Sequence, residues 1–165
     1  MPETFDRLEL REAEDFDEQF LFRLYCDVRG PEVAAWGWPA AQNEAFLRMQ
    51  FDAQRRSYRA ADTKARDQIV VMEGVPIGRR LVALAPGEMR LVDIALLSSY
   101  RNRGIGSELI RELIVDCCAK EVVLRIHVFQ GNPALRLYHR MGFVETGNDP
   151  MYIQMAWSPG QTKIA

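Results

Sequence analysis

The stretch from Leu96 to Leu109, L-L-S-S-Y-R-N-R-G-I-G-S-E-L, constrains the fold more than any other part of the chain. An apolar run, Leu91 to Leu97, leads straight into a basic loop containing Arg101, Asn102, Arg103, Gly104, Ile105 and Gly106. The loop opens an amphipathic segment whose apolar stripe is Leu109, Ile110, Leu113, Ile114 and Cys117. A strand, a glycine loop and a helix N-terminus form an anion site. The first N–H groups of a helix lack internal acceptors, and the macrodipole favours negative charge there. Gly104 and Gly106 let the backbone approach a ligand with no Cβ in the way, while Arg101 and Arg103 offer charge-assisted donors. A pyrophosphate is the ligand this chemistry points to.

The loop is not a Walker sequence, because no G-x-x-x-x-G-K-[ST] string occurs. A dinucleotide fingerprint would need a third glycine where Leu109 stands. R-x-x-G-x-G after a strand resembles instead the acetyl-CoA loop of the GNAT superfamily of N-acetyltransferases. A second motif follows at the right distance. Residues Gly131 to Phe143, G-N-P-A-L-R-L-Y-H-R-M-G-F, resemble the GNAT helix that ends in L-Y-x-x-x-G-F. The segment also makes local sense, with Asn132 as an N-cap, Pro133 in the first turn and Gly142 as the stop. The resemblance runs from about Glu88 to Trp157.

Composition narrows the setting. At 165 residues and a net charge of −2, one domain spanning 1–165 is expected, and bulk nucleic-acid binding is not. No long apolar span and no leader pattern at Met1 to Asp6 are visible, so no membrane association is expected. Three cysteines, with Cys117 and Cys118 adjacent, do not read as a disulfide framework. A reducing cytoplasm is the expected compartment, and no metal site is expected. A homodimer is left open.

Periodicity and turn signals give the order β-α-α-β-β-β-α-β-α-β-β. Leu8 to Arg11 is a short strand. Asp15 is a candidate cap for a helix from Asp17 to about Val28, punctuated by Gly30-Pro31. Val33 to Pro39 is an aromatic segment, and Pro39 to about Arg59 is a second helix with two apolar faces, expected to be covered on much of its circumference. Strands follow at Gln68 to Glu73, Ile77 to Ala85 and Glu88 to Leu97. Beyond the loop come a helix from Gly106 to about Lys120, a strand from Val122 to Phe129 and the capped helix Pro133 to Met141. Strands at Phe143 to Glu145 and Met151 to Trp157 flank a turn at Gly147 to Pro150. Ser158 to Ala165 reads as a loose tail. This is an α+β chain: a mixed, mostly antiparallel sheet of about seven strands with helices on both faces. The resemblance implies that the two central strands, Glu88 to Leu97 and Val122 to Phe129, splay, with the cofactor entering from one side and the amine from the other.

The implied reaction is acyl transfer from acetyl-CoA to a small-molecule or peptide amine. By resemblance, cofactor contacts fall to backbone around Ile94, Ala95 and Leu96, to the loop residues Arg101, Asn102, Arg103, Gly104, Ile105, Gly106 and Ser107, and to Asn132 and Tyr138. The family asparagine lies seven residues before the tyrosine, where this chain has Gly131; Asn132 is six before. Tyr138 is the candidate general acid, since a phenol with a reference pKa near 10 is protonated at neutral pH. A core tyrosine beside Leu137 and Met141 is the competing reading.

The base is harder to find. The family often places it nine or eleven residues before the loop arginine, at Val92 and Arg90 here, and neither serves. Strand alternation turns the adjacent Asp93 to the opposite face, as a structural aspartate paired with an arginine. Glu88 has the right parity at the far end of its strand. His127 has a suitable reference pKa but reads better as a structural histidine. His139 reads as solvated. Trp36 and Trp38 are placed either along the acceptor site or as anchors of the first helix pair. The missing acid keeps a second function class open, a non-catalytic acyl-CoA-binding regulatory or assembly module. A nucleotide-binding module is disfavoured by the absent Walker lysine.

Overall fold

The computed structural model describes residues 7–61 and 64–160. Its strands are β1 (Leu8–Glu12), β2 (Arg66–Met72), β3 (Val75–Ala85), β4 (Glu88–Leu96), β5 (Val123–Phe129), β6 (Val144–Asn148) and β7 (Tyr152–Trp157). Its helices are α1 (Glu18–Ala34), α2 (Ala40–Ala61), α3 (Ile105–Lys120) and α4 (Leu135–Arg140), with single 3-10 turns at Asp15–Asp17 and Ser98–Tyr100. The strands form one sheet in the order β1-β2-β3-β4-β5-β7-β6. Every pairing is antiparallel except β4 with β5, which α3 connects as a crossover. Residues 161–165 of the expected loose tail lie outside the described residues.

Two layers of helix cover the sheet. On one face, Ile110, Leu113 and Cys117 of α3 pack on Met89 and Leu91 of β4 and on Leu124, Ile126 and Val128 of β5, with Tyr138 of α4 in the same cluster. Cys117 is a core residue, its sulfur 3.8 Å from that of Met89, and burial raises its thiol to about 11. On the other face, Leu21 of α1 and Phe51 of α2 close over Ile69 and Val71 of β2. Each such fully buried side chain contributes about 1.5–3 kcal/mol. None of the described helices is long and apolar enough to cross a membrane.

Three expectations need correction. Helix α1 does not end at Gly30-Pro31 but continues to Ala34. A proline inside a helix costs about 3 kcal/mol; the last turn persists because Val33 is driven into the core at 1 % exposure. Helix α2 is not covered on two faces: Leu47 and Phe51 are buried, whereas Met49 is 55 % exposed. The third concerns the final hairpin. Gly147 and Asn148 belong to β6, and the turn is built on Asp149, whose carboxylate accepts the N–H groups of Met151 and Tyr152 at 2.8 Å.

Candidate active site

The site begins with a parting of strands. β4 and β5 pair only from Glu88 to Leu91 and from Val123 to Ile126. Beyond Leu91, β4 stays with β3 and leaves β5. The β5-facing edge of residues 92–96 therefore has no strand partner. At the same place β4 carries a bulge: Leu81 of β3 stands opposite Asp93 and Val82 opposite Leu91, so Val92 is the extra residue. A cleft of about 930 Å³ opens along the parting. Its walls come from β4, β5, α1, α2 and the residues before α4.

The bulge undoes the alternation argument for Asp93. Directly opposed residues of an antiparallel pair share a face. Asp67, Leu81 and Asp93 therefore form a row across β2, β3 and β4, with Arg79 one step along on the same face. That face lies under α1 and α2, and Asp93 lines the cleft together with Tyr58 and Tyr138. An arginine partner is present as expected, but the pairing is unequal. Arg79, only 6 % exposed, gives its fork to Asp67 at 2.8 and 2.9 Å and stands 3.9 Å from Asp93. Asp93 keeps about a third of its side chain open to the cleft, yet the surrounding protein is dense enough to push its carboxyl above the ordinary aspartate range. Burial is the main cause, Arg79 opposes it and Asp67 adds to it. A carboxylate so placed is a proton acceptor facing a cavity.

Tyr138 lines the same cleft, 7 % exposed and edge-on to Phe143 at 5.7 Å. Burial, with the Asp93 charge second, pushes its phenol up to about 12. It is thus both a core residue and a cleft residue, and it holds its proton firmly. His127 and Asn132 also line the cleft. Asn132 is not the cap expected of it: the N-cap of α4 is Ala134, and the Asn132 Oδ1 instead accepts the Ala134 N–H at 2.9 Å in a turn ahead of the helix, which starts at Leu135. His139 sits outside, 3.6 Å from Glu145.

The glycine loop enters α3 as expected. Gly104 caps the helix at φ +83°, a left-handed conformation that suits a residue without Cβ. The position a Gly106 Cβ would occupy is open space. The unpaired N–H groups of the first helical turn and the unpartnered edge of residues 92–96 both fit a pyrophosphate-bearing thioester, one end for the phosphates and the other for the amide arm. The arginines are placed differently from expectation. Arg101 turns back: its Nε donates to the Leu96 carbonyl at 2.9 Å and its Nη2 to Asp27 of α1 at 3.2 Å. Arg103 stacks over Tyr100 at 5.4 Å. The Leu96 carbonyl is thereby engaged within the loop, and Ile94 and Ala95 line the cleft.

Trp36 and Trp38 do not line it. They form an edge-to-face trio with Phe46 at 5.0–5.6 Å, where the link between α1 and α2 meets the start of α2. Sequence reasoning missed Asp27, Tyr58, Asp67 and Arg79. One signal was available: Arg79-Arg80 in an otherwise apolar strand. Neighbours in a strand face opposite sides, and both are buried, so each face must supply an acceptor. Arg80 finds the Leu109 carbonyl at 3.0 Å and Glu112 at 3.2 Å; Arg79 finds Asp67.

Comparison with known proteins agrees with this fold. Residues 65–145 match the acetyltransferase (GNAT) domain. No curated protein matches the chain by sequence. Among solved structures, the PaiA N-acetyltransferase of Thermoplasma acidophilum, in complex with coenzyme A, is similar at 18 % identity and a TM-score of 0.68, covering 92 % of this chain and 98 % of that one. The ribosomal-protein-S18-alanine N-acetyltransferase of Escherichia coli is similar at 16 % and 0.62, covering 96 % and 98 %. A chimera of the Vibrio cholerae spermidine N-acetyltransferase is similar at 21 % and 0.65, covering 93 % and 96 %. Residues 65–145 of the chain carry a GNAT acetyltransferase domain, with acetyl-CoA as its acyl donor.

Proposed function

We propose that this enzyme acetylates a primary amine of a small molecule or peptide, with Asp93 taking the amine proton and Tyr138 donating to the departing sulfur. The observation that carries the reading is that both side chains line the cleft where β4 leaves β5. Bound acetyl-CoA supplies the thioester carbonyl. The amine reaches it from the side walled by α1 and α2, where Tyr25, Arg29, Glu32 and Tyr58 line the cleft.

An amine arrives at neutral pH mostly as ammonium and must lose a proton before it attacks. Asp93 is suited to receive one, because Arg79 is occupied by Asp67 and the carboxyl sits above its usual range. Tyr138 has the opposite task. A phenol at about 12 is protonated throughout the working range. A thiolate with a reference pKa of roughly 8.5 will not strip it. Tyr138 therefore acts as a hydrogen-bond donor that stabilises charge on sulfur; the nitrogen sheds its second proton as the C–S bond breaks, that proton passes through the cleft to the thiolate, and the one Asp93 collected leaves to solvent. The binding-only reading depended on a missing acid at Val92 and Arg90, and Asp93 in the cleft removes that support. The similar folds include enzymes named for a protein alanine and for spermidine, both primary amines. We also propose a single domain spanning 1–165 that works in the cytoplasm, in keeping with free Cys26, Cys117 and Cys118.

The test is thiol release from acetyl-CoA across polyamines, amino acids and N-terminal peptides. Turnover on at least one class is expected. Coenzyme A binding with no turnover on any would contradict the reading.

A further inference from the structure

We infer that Asp27 is the positioning residue of the cofactor loop, and that Arg101 serves the loop through Asp27 rather than by gripping phosphate. One carboxylate on α1 collects three donors from the segment between β4 and α3. Oδ2 accepts the Ser98 N–H at 2.6 Å and the Arg101 Nη2 at 3.2 Å, while Oδ1 accepts the Ser98 hydroxyl at 3.1 Å. Arg101 completes the brace by holding the Leu96 carbonyl through Nε. The loop is pinned again just before it, where the Leu97 N–H meets the Ile77 carbonyl at 2.8 Å. From Arg101 onward the chain turns through left-handed Asn102 and Gly104 into α3. A shift at Ser98 would therefore carry into the N–H groups that face the pyrophosphate.

The brace ties the loop to a helix that walls the cleft. Helix α1 also supplies Tyr25, Val28 and Arg29 to the acceptor wall, on either side of Asp27 in sequence. The helix that shapes the amine pocket thus carries the carboxylate that holds the cofactor loop in place. The three bonds lie at the surface, so the brace depends on one carboxylate holding three donors together rather than on any one ion pair.

This inference rests on acetyl-CoA binding at the loop, and the experiment separates the two. Coenzyme A affinity is measured by calorimetry for the parent chain, Asp27→Ala, Asp27→Asn, Ser98→Ala, Arg101→Gln and the Asp27→Ala/Arg101→Gln pair, alongside melting temperatures. Asp27→Ala is expected to weaken coenzyme A by about tenfold or more. Asp27→Asn should lose less, since its amide oxygen still accepts from Ser98. The double variant should lose little beyond Asp27→Ala, because both residues act through one contact. For an amine that turns over, the loss should fall on the KM for acetyl-CoA more than on kcat. Unchanged coenzyme A affinity in folded Asp27→Ala and Asp27→Asn would overturn the inference, as would full additivity with Arg101→Gln. A parent chain that fails to bind coenzyme A would overturn the cofactor reading instead.

Discussion

The two proposed sites are built on different principles. The one proposed for the cofactor is made of backbone: a left-handed glycine, the first N–H groups of α3 and the strand edge that β4 exposes on leaving β5. The one proposed for the amine is made of side chains from elements far apart in the chain, with Tyr58 on α2, Asp67 on β2, Arg79 on β3 and Asp93 on β4. Backbone recognition needs glycines and caps at fixed local spacing, so one stretch of sequence specifies it. Side-chain recognition needs a register between strands and a bulge, which no local pattern records.

The largest expected effect breaks the cofactor end alone. Gly106 has open space at its Cβ position and an ordinary helical backbone, so Gly106→Glu should fold while placing a carboxylate where the phosphates sit. Coenzyme A binding should be abolished in calorimetry with little change in melting temperature; retained affinity would move the cofactor elsewhere.

Next in size is Tyr138→Phe, which removes a donor and almost no packing. Turnover should fall by about 10²-fold, the lower end for a lost catalytic donor, with coenzyme A affinity within a few-fold. An unchanged kcat would leave Tyr138 as a core residue of the α4 layer only.

A smaller change sharpens the amine end. Asp67→Asn removes a negative charge and frees the fork of Arg79 to close on Asp93. Both effects favour ionised Asp93, so the acid limb of kcat/KM should move to lower pH while the weaker base slows turnover several-fold. Tyr58, Tyr138 and His127, which share the cleft, are unaltered by the change. A limb that stays put would mean that Asp67 does not set the basicity of Asp93.

The smallest effect belongs to the aromatic trio. Trp36→Ala and Trp38→Ala should change kcat/KM by less than about twofold while costing on the order of 1 kcal/mol of stability through lost ring contacts. A large rise in the amine KM would return these residues to the acceptor wall.

Legibility follows the same division. The strand, loop and helix from Glu88 to Lys120 were readable because Gly104, the apolar stripe and the run before them are local signals. The existence of α4 was readable for the same reason, but not its cap, which falls at Ala134. Asp93 was misplaced because alternation assumes an unbroken ladder, and Val92 breaks it. The bond from Arg101 to Asp27 was not legible because Asp27 lies 74 positions away on another helix. Helix α1 ran past Gly30-Pro31 because burial of Val33 outweighed the local stop.

The most direct test of the account is the pH profile of turnover and the thermal stability of Asp93→Asn against the parent chain. Asp93 is raised in the fold, so the native state holds a proton that the unfolded chain has already released. Its ionisation therefore costs stability as pH rises from the unfolded value, near 3.9, through the raised folded one. An asparagine relieves that cost at neutral pH. The account expects a melting temperature at pH 7 that is unchanged or higher, turnover reduced by about 10²–10⁴-fold, and loss of the acid limb in what activity remains. A variant that melts lower but turns over at the parent rate with the parent pH profile would make Asp93 a structural partner of Arg79 and leave the reaction without its base.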